Sequence, residues 1–214
     1  MGISTNGKRL FIARHGETVF NAVGRMQGMD AHTPLTWEGC VQATMMGRAL
    51  ASHVDGGAQL KLMASPSGRT LQTLALVAAE TGHDWHDHTT DKRLREIDIG
   101  EWEGAYYKDI IADIGDFIDM EHHLFTRVAP GGENYAQIVT RLTEWLSEQE
   151  FAQDTLIISH GMTARVLRGI LRGLDPIASY DAPIAPTLSQ GSMVMIRDGE
   201  EELILSGDGS GEKA

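Results

Sequence analysis

Arg14-His15-Gly16-Glu17-Thr18 closes an apolar run, Leu10-Phe11-Ile12-Ala13, and sets an imidazole beside a guanidinium. A neutral imidazole can attack phosphorus as a covalent nucleophile, and a guanidinium is a planar, always-charged fork of donors for phosphate oxygens. Five residues alone also fit a charged surface loop, so other stretches must supply the missing groups. Ser65-Pro66-Ser67-Gly68-Arg69-Thr70 and Ser159-His160-Gly161 each follow a short apolar run and open a helical pattern. Arg is disfavoured at the positive end of a helix dipole, so Arg69 in that first turn reads as a ligand contact. A proton donor is expected in Arg93-Leu94-Arg95-Glu96-Ile97-Asp98-Ile99-Gly100-Glu101-Trp102-Glu103-Gly104. A carboxyl group flanked by Leu94, Ile97 and Trp102 can keep a proton for a leaving group through desolvation, which favours Glu96. Asp98 and Glu101 remain its rivals.

These groups need a scaffold that brings them together. Residues 9–13, 61–64 and 155–158 are short continuous apolar runs, the pattern of central parallel strands buried on both faces. Parallel strands share a carboxyl edge, where open α/β folds keep their ligands, so His15, Arg69 and His160 converge there although far apart in the chain. Between them, Thr36 caps a helix to about His53, with Trp37, Val41, Met45 and Ala49 expected on its buried face and Asp55-Gly56-Gly57 breaking it. A second helix carries Leu71, Leu74, Leu76, Val77 and Ala78 and stops at Gly82. A third runs through Tyr135, Ile138, Leu142 and Trp145, and a fourth through Val166 and Leu171 to Asp175-Pro176. Ser192–Ile196 and Glu201–Leu205 form a closing hairpin around Asp198-Gly199.

Three segments fall outside this frame. Val19 to Pro34 is a long irregular segment with Asn21, Arg25, Gln27 and Gly28 directly after His15, and a loop of that length reads as an active-site wall. Residues 105–130 have helical periodicity through Tyr107, Ile110, Ile111, Ile114, Phe117 and Ile118, so a small helical insert or lid is expected. His83-Asp84-Trp85-His86-Asp87-His88 has metal-donor types, but no further ligand cluster accompanies it. Solvated histidines on an edge strand are the expectation, with no metal site. The tail from Gly207 is polar and expected to fray; its glycines mimic a nucleotide loop only superficially, since no helix can follow them.

The chain has 214 residues, enough for one large α/β domain, here residues 1–214. A formal charge of −12 argues against nucleic acid or an anionic membrane as partner. The 18 basic residues are mostly Arg and cluster at turns, which allows a positive cleft in an acidic protein. Cys40 is the single cysteine, so an intramolecular disulfide and a multi-cysteine metal site are excluded. Met46, six positions on, stands where a thiolate phosphatase loop needs Arg. The polar start of the chain has no apolar signal core and no run is long enough to span a bilayer, so a cytoplasmic location is expected.

Taken in order, Arg14-His15-Gly16-Glu17-Thr18, Ser65-Pro66 through Arg69-Thr70, Leu94-Arg95-Glu96 leading to Trp102-Glu103-Gly104, and Ser159-His160-Gly161 resemble the histidine phosphatase superfamily, in its phosphoglycerate-mutase-like branch. The resemblance implies a three-layer α/β/α sandwich with a mostly parallel sheet, a phosphohistidine intermediate at His15, no cofactor and a small phosphorylated substrate. It implies a phosphate pocket of Arg14, Arg69 and His160, lined by Asn21, Gln27 and Gly28. Glu96 would be the acid, and Gly161 would offer its backbone N–H. Phosphoglycerate mutases of this type carry a Tyr after the acid, then a Lys and a paired Arg-Arg. Here those positions hold Ile99, Tyr107 with Lys108 beside it, and a lone Arg127, which favours a phosphatase of small metabolites over a mutase or a weakly catalytic phosphoprotein-binding member. Phe20 replaces the Trp usual before Asn21. No oligomeric state is written in the pattern.

Overall fold

A computed structural model of the chain describes residues 2–54 and 59–208. Its centre is the strand that ends in Arg14, β1 (Leu10–Arg14), flanked by two others. With α1 (Val19–Ala22), α2 (Trp37–Ala51), β2 (Leu60–Ala64), α3 (Gly68–Thr81), β3 (Thr89–Thr90), β6 (Asp154–Ser159), β7 (Met193–Arg197) and β8 (Glu200–Leu205), it builds a six-stranded sheet of order β3-β2-β6-β1-β7-β8. The first four strands in that order are parallel, and β7 and β8 are antiparallel. The remaining elements are α4 (Tyr107–Ile114), a hairpin of β4 (Ile118–Asp119) and β5 (Leu124–Phe125), α5 (Tyr135–Ser147) and α6 (Gly161–Arg172).

Strand alternation explains the layers. Phe11, Ala13, Leu62, Leu156 and Ile158 point to one face and pack against Ala43, Met46 and Leu50 of α2 and Leu74 and Val77 of α3. Leu10, Ile12, Met63 and Ile157 point to the other, against Ile138, Leu142 and Trp145 of α5 and Val166, Leu167 and Leu171 of α6. The fold is therefore the three-layer α/β/α sandwich expected, with helices covering both faces of a mostly parallel sheet. Among the described residues no helix is long and apolar enough to cross a membrane.

Several local expectations need correction. α2 starts at its Thr36 cap as expected, but Trp37 is 78% exposed and Met45 49%, while Gly39, Ala43, Met46, Gly47 and Leu50 face inward. The reason is close approach: a side chain at Gly47 would meet Glu80 of α3, and one at Gly39 would meet the Glu17 carbonyl. The small-residue face wins the interior and leaves the larger one in water. Val19 to Pro34 is not wholly irregular, because Thr18 and Asn21 form a capping box that starts α1. The 105–130 insert is helical only to Ile114; Gly115, at φ 79°, ends the helix, and the rest is the β4–β5 hairpin. His83–His88 is no edge strand, since residues 85–87 form one 3₁₀ turn; among the described residues no group of side chains suits a metal ion. α6 stops at Gly173, in the left-handed region, before Asp175-Pro176. Gly207 and Asp208 are held by Ser192 and Gln42 rather than frayed. Asp55-Gly56-Gly57 and residues 209–214 lie outside the described residues.

Candidate active site

The parallel ladder delivers the first groups. Beyond the last β1–β6 pair, Arg14↔Ser159, the His15 N–H still donates to the Ser159 carbonyl, so His15 and His160 leave the sheet side by side. Their rings meet edge to face with centroids 5.3 Å apart. Gly16 is required just after His15 because a side chain there would strike the Gly39 backbone. Its carbonyl lies 2.7 Å from His15 Nδ1. A carbonyl only accepts, so Nδ1 carries the proton and Nε2 keeps its lone pair. Burial first, then the charges of Arg69 and Arg14, hold the His15 pKa well below its ordinary value, so the ring is neutral at pH 7.

Arg69, in the first turn of α3, is 1% exposed. Its Nη1 donates to the Asp30 carbonyl at 2.6 Å, its Nη2 to the Gly28 carbonyl at 2.8 Å and its Nε to His160 Nδ1 at 3.2 Å. Burial lowers its pKa to about 10, which leaves it charged at neutral pH. Because His160 Nδ1 accepts, its Nε2 bears the proton and donates to Ser65 Oγ at 2.8 Å. Both ring nitrogens of His160 are thus occupied, and burial and Arg69 hold its pKa well below the usual value. Arg14 donates from Nη1 to the Leu188 carbonyl at 2.8 Å, and its buried Nε has no partner among the described residues.

Glu96 sits at the open end of α6. Its Oε1 accepts from Ile97 N at 3.0 Å and Thr163 N at 3.1 Å, and its Oε2 from Met162 N at 3.2 Å. The carboxyl group therefore meets the N–H groups of a helix N-terminus as well as its apolar neighbours. Thr163 Oγ1 donates to the Arg95 carbonyl at 2.6 Å and accepts from Arg141 Nη2 at 3.1 Å. Arg141 is itself paired with buried Glu133 at 2.8 Å, so a hydrogen-bonded brace fixes the segment that carries Glu96.

One cleft gathers most of the expected groups. Arg14, His15, Asn21, Gln27, Gly28, Arg69, Glu96 and Gly161 all line it, with about 1050 Å³ of empty space that is partly open to solvent. Glu96 is the only one of the three candidate carboxylates there; Asp98 and Glu101 do not line it. Gly161 stands between Arg14 and Glu96, and a side chain on it would lie 3.4 Å from each. Asn21 and Gln27 already use their amide oxygens, Asn21 on the Thr18 N–H at 3.1 Å and Gln27 on the Thr33 hydroxyl at 2.9 Å. What they have left for a ligand is N–H. Gly28 gives its carbonyl to Arg69 and so orients that side chain.

His160 touches His15 and lines an adjoining cavity that shares Arg69 and Glu96 with the cleft. Its nitrogens are engaged by Ser65 and Arg69, which makes it a support for those groups in this arrangement. Three cleft residues carry chemistry not assigned from sequence: Tyr107, Met162 and Arg165. Arg25 lines the cleft as the active-site wall reading expects. Met162 and Arg165 follow His160 on the same helix, and that proximity was the available signal. The hairpin residues Ile118, Met120, His123 and Phe125 also line the cleft, within the segment expected as an insert or lid.

Comparison with known proteins now decides the family. Residues 10–206 match the Histidine phosphatase superfamily (branch 1). The chain belongs to that superfamily. A relative described as "Probable phosphoglycerate mutase GpmB" from Yersinia enterocolitica is 31% identical over 174 residues, 79% of this chain and 77% of that protein. The 6-phosphofructo-2-kinase/fructose-2,6-bisphosphatase of Caenorhabditis elegans is 30% identical over 192 residues, 86% of this chain but 39% of the worm protein's length. The histidine phosphatase fold recurs in the alpha-ribazole phosphatase of Shigella flexneri, with a TM-score of 0.70, 24% identity and coverage of 94% of this chain and 98% of that one.

Proposed function

We propose that this histidine phosphatase hydrolyses small phosphate monoesters through a phosphoryl group carried on His15. The observation that carries the reading is the fixed tautomer of His15: Nδ1–H is held by the Gly16 carbonyl, and a neutral Nε2 lone pair is left beside two guanidinium groups. In the first step Nε2 bonds to phosphorus as the ester P–O bond breaks, and Glu96, in its acid form, gives the departing oxygen its proton. In the second step water attacks the phosphohistidine, Glu96 takes the water proton back, and the P–N bond breaks to release inorganic phosphate. Transition states of this kind are loose, so catalysis depends on in-line positioning and on cations around the equatorial oxygens. Arg14 and Arg69 supply that charge without a metal ion, and the N–H groups of Asn21 and Gln27 add donors.

A mutase needs a clamp for the substrate carboxylate. Ile99 and Tyr107 line the cleft where that clamp would begin, whereas Arg127 lines a separate cavity. This supports hydrolysis over phosphoryl exchange, although the Yersinia relative carries a mutase description. The test is a panel of phosphate esters assayed in chelator, with wild type and His15→Ala side by side. Hydrolysis that survives chelator and disappears in the variant is expected. Activity that persists in His15→Ala, or that needs added metal, overturns the mechanism.

A further inference from the structure

The hydrolase reading leaves open which alcohol the ester carries, and the apolar part of the cleft's lining speaks to that. We propose that the preferred substrates are phosphate monoesters of apolar alcohols, branched aliphatic or arylalkyl, over those of polyols and hydroxy acids; the inference rests on the hydrolase reading.

The walls there are Met26, Ile99, Met162 and three hairpin residues, Ile118, Met120 and Phe125. Met120 stands 73% exposed on the rim, so a bound apolar group covers surface that otherwise faces water, a favourable transfer. Three of the six are methionines, whose unbranched side chains adapt to differently shaped partners, which predicts tolerance within the apolar class.

Part of the polar lining is already engaged. Arg165 Nε donates to the Ala185 carbonyl at 2.9 Å, its Nη1 to the His123 carbonyl at 2.9 Å and its Nη2 to the His122 carbonyl at 2.6 Å. It straps the hairpin to α6. The Arg25 guanidinium lies over the Tyr106 and Phe20 rings, 4.7 and 5.2 Å from their centroids. Arg25 Nε is buried without a partner among the described residues, and Tyr107, His123 and Thr187 add polar groups to the lining. A leaving group with several hydroxyls gives up water bonds wherever it lies against the six apolar side chains, which weakens its binding.

The experiment compares kcat/KM for 3-methylbutyl phosphate and 2-phenylethyl phosphate with that for glycerol 1-phosphate and 3-phosphoglycerate. All four leave as alkoxides, so intrinsic reactivity contributes little to a difference. A preference of roughly tenfold or more for the first pair is expected, the scale set by a few methylenes in an apolar pocket. Met120→Glu is expected to narrow that ratio. A ratio of one or below in wild type overturns the inference. A binding arm keeps it separable from catalysis: 3-phenylpropylphosphonate, which cannot be hydrolysed, is expected to bind more tightly than 3,4-dihydroxybutylphosphonate by calorimetry. Equal affinities refute the ligand class. A phosphonate preference without hydrolysis of any ester refutes the hydrolase reading and leaves the ligand class standing.

Discussion

His15 and His160 stand edge to face with ring centroids 5.3 Å apart, both buried and both beside Arg69. Two imidazoles in that setting stay neutral, because a proton on either would face a buried guanidinium and a second ring. A histidine in an unfolded chain titrates near 6.5. In the folded protein both titrate well below that value, so between the two the unfolded chain binds more protons. Stability therefore rises with pH through this window and is lost as pH falls below about 6.5, by up to about 2.7 kcal/mol per unit for two protons. Urea unfolding at several pH values, for wild type and the His15→Gln/His160→Gln double variant, checks this. The wild type is expected to have the steeper acid dependence, and equal slopes would show that these rings are not the cause.

Arg69 does more than carry charge, since it donates to the Asp30 and Gly28 carbonyls and to His160. Lys keeps the charge but has neither the planar fork nor the reach of three directions. Arg69→Lys is expected to lower kcat/KM at least about a hundredfold, near the loss of one preorganised donor to a transition state. It should also destabilise the fold by about 1–3 kcal/mol through unpaired buried carbonyls. Steady-state kinetics with a denaturation curve on the same preparation separates the two effects.

In the proposed mechanism Glu96→Gln removes proton transfer while keeping a side chain that still accepts from Thr163 N. With an alkyl ester, kcat is expected to fall about 10²- to 10⁴-fold. With p-nitrophenyl phosphate, whose leaving group needs no proton, the first step should survive and the second should lag. Rapid-mixing assays are then expected to give a burst of p-nitrophenol and an accumulated phosphoenzyme. Loss of the burst would place the defect in the first step.

The inverted face of α2 yields a stability contrast. Trp37 is exposed and Met46 is fully buried against α3 and the sheet. Trp37→Ser is expected to change stability by less than about 0.5 kcal/mol, whereas Met46→Ala should cost about 2–5 kcal/mol. A large effect at Trp37 would mean that the helix is packed the other way round.

Central strands and strand-end motifs were legible because their signals are local. Leu10–Ala13 and Leu156–Ile158 are continuous apolar runs that fit only a doubly covered sheet, and the His15, Arg69 and His160 positions follow from a shared strand edge. Glu96 was legible among three acids, but not its setting, because the N–H groups it meets come from Met162 and Thr163 on a distant helix. The face of α2 misled because Trp37, Val41 and Met45 recur at helical spacing as clearly as the small residues that are buried. Periodicity identifies a helix, while glycine-sized gaps decide which side approaches its neighbour. The β4–β5 hairpin was hidden in residues with helical spacing, and only Gly115 hinted at a break. The role of His160 depends on side-chain rotation towards Ser65, which no motif encodes.

The proposed mechanism makes His15 Nε2 the atom that accepts the phosphoryl group. It is tested most directly by quenching the enzyme during turnover and mapping the phosphoryl adduct by mass spectrometry and ³¹P NMR. An acid-labile, base-stable adduct on His15, bonded at Nε2, is expected, together with its absence in His15→Ala. An adduct at Nδ1 or on His160, or turnover in wild type with no phosphohistidine under any quench, would contradict it.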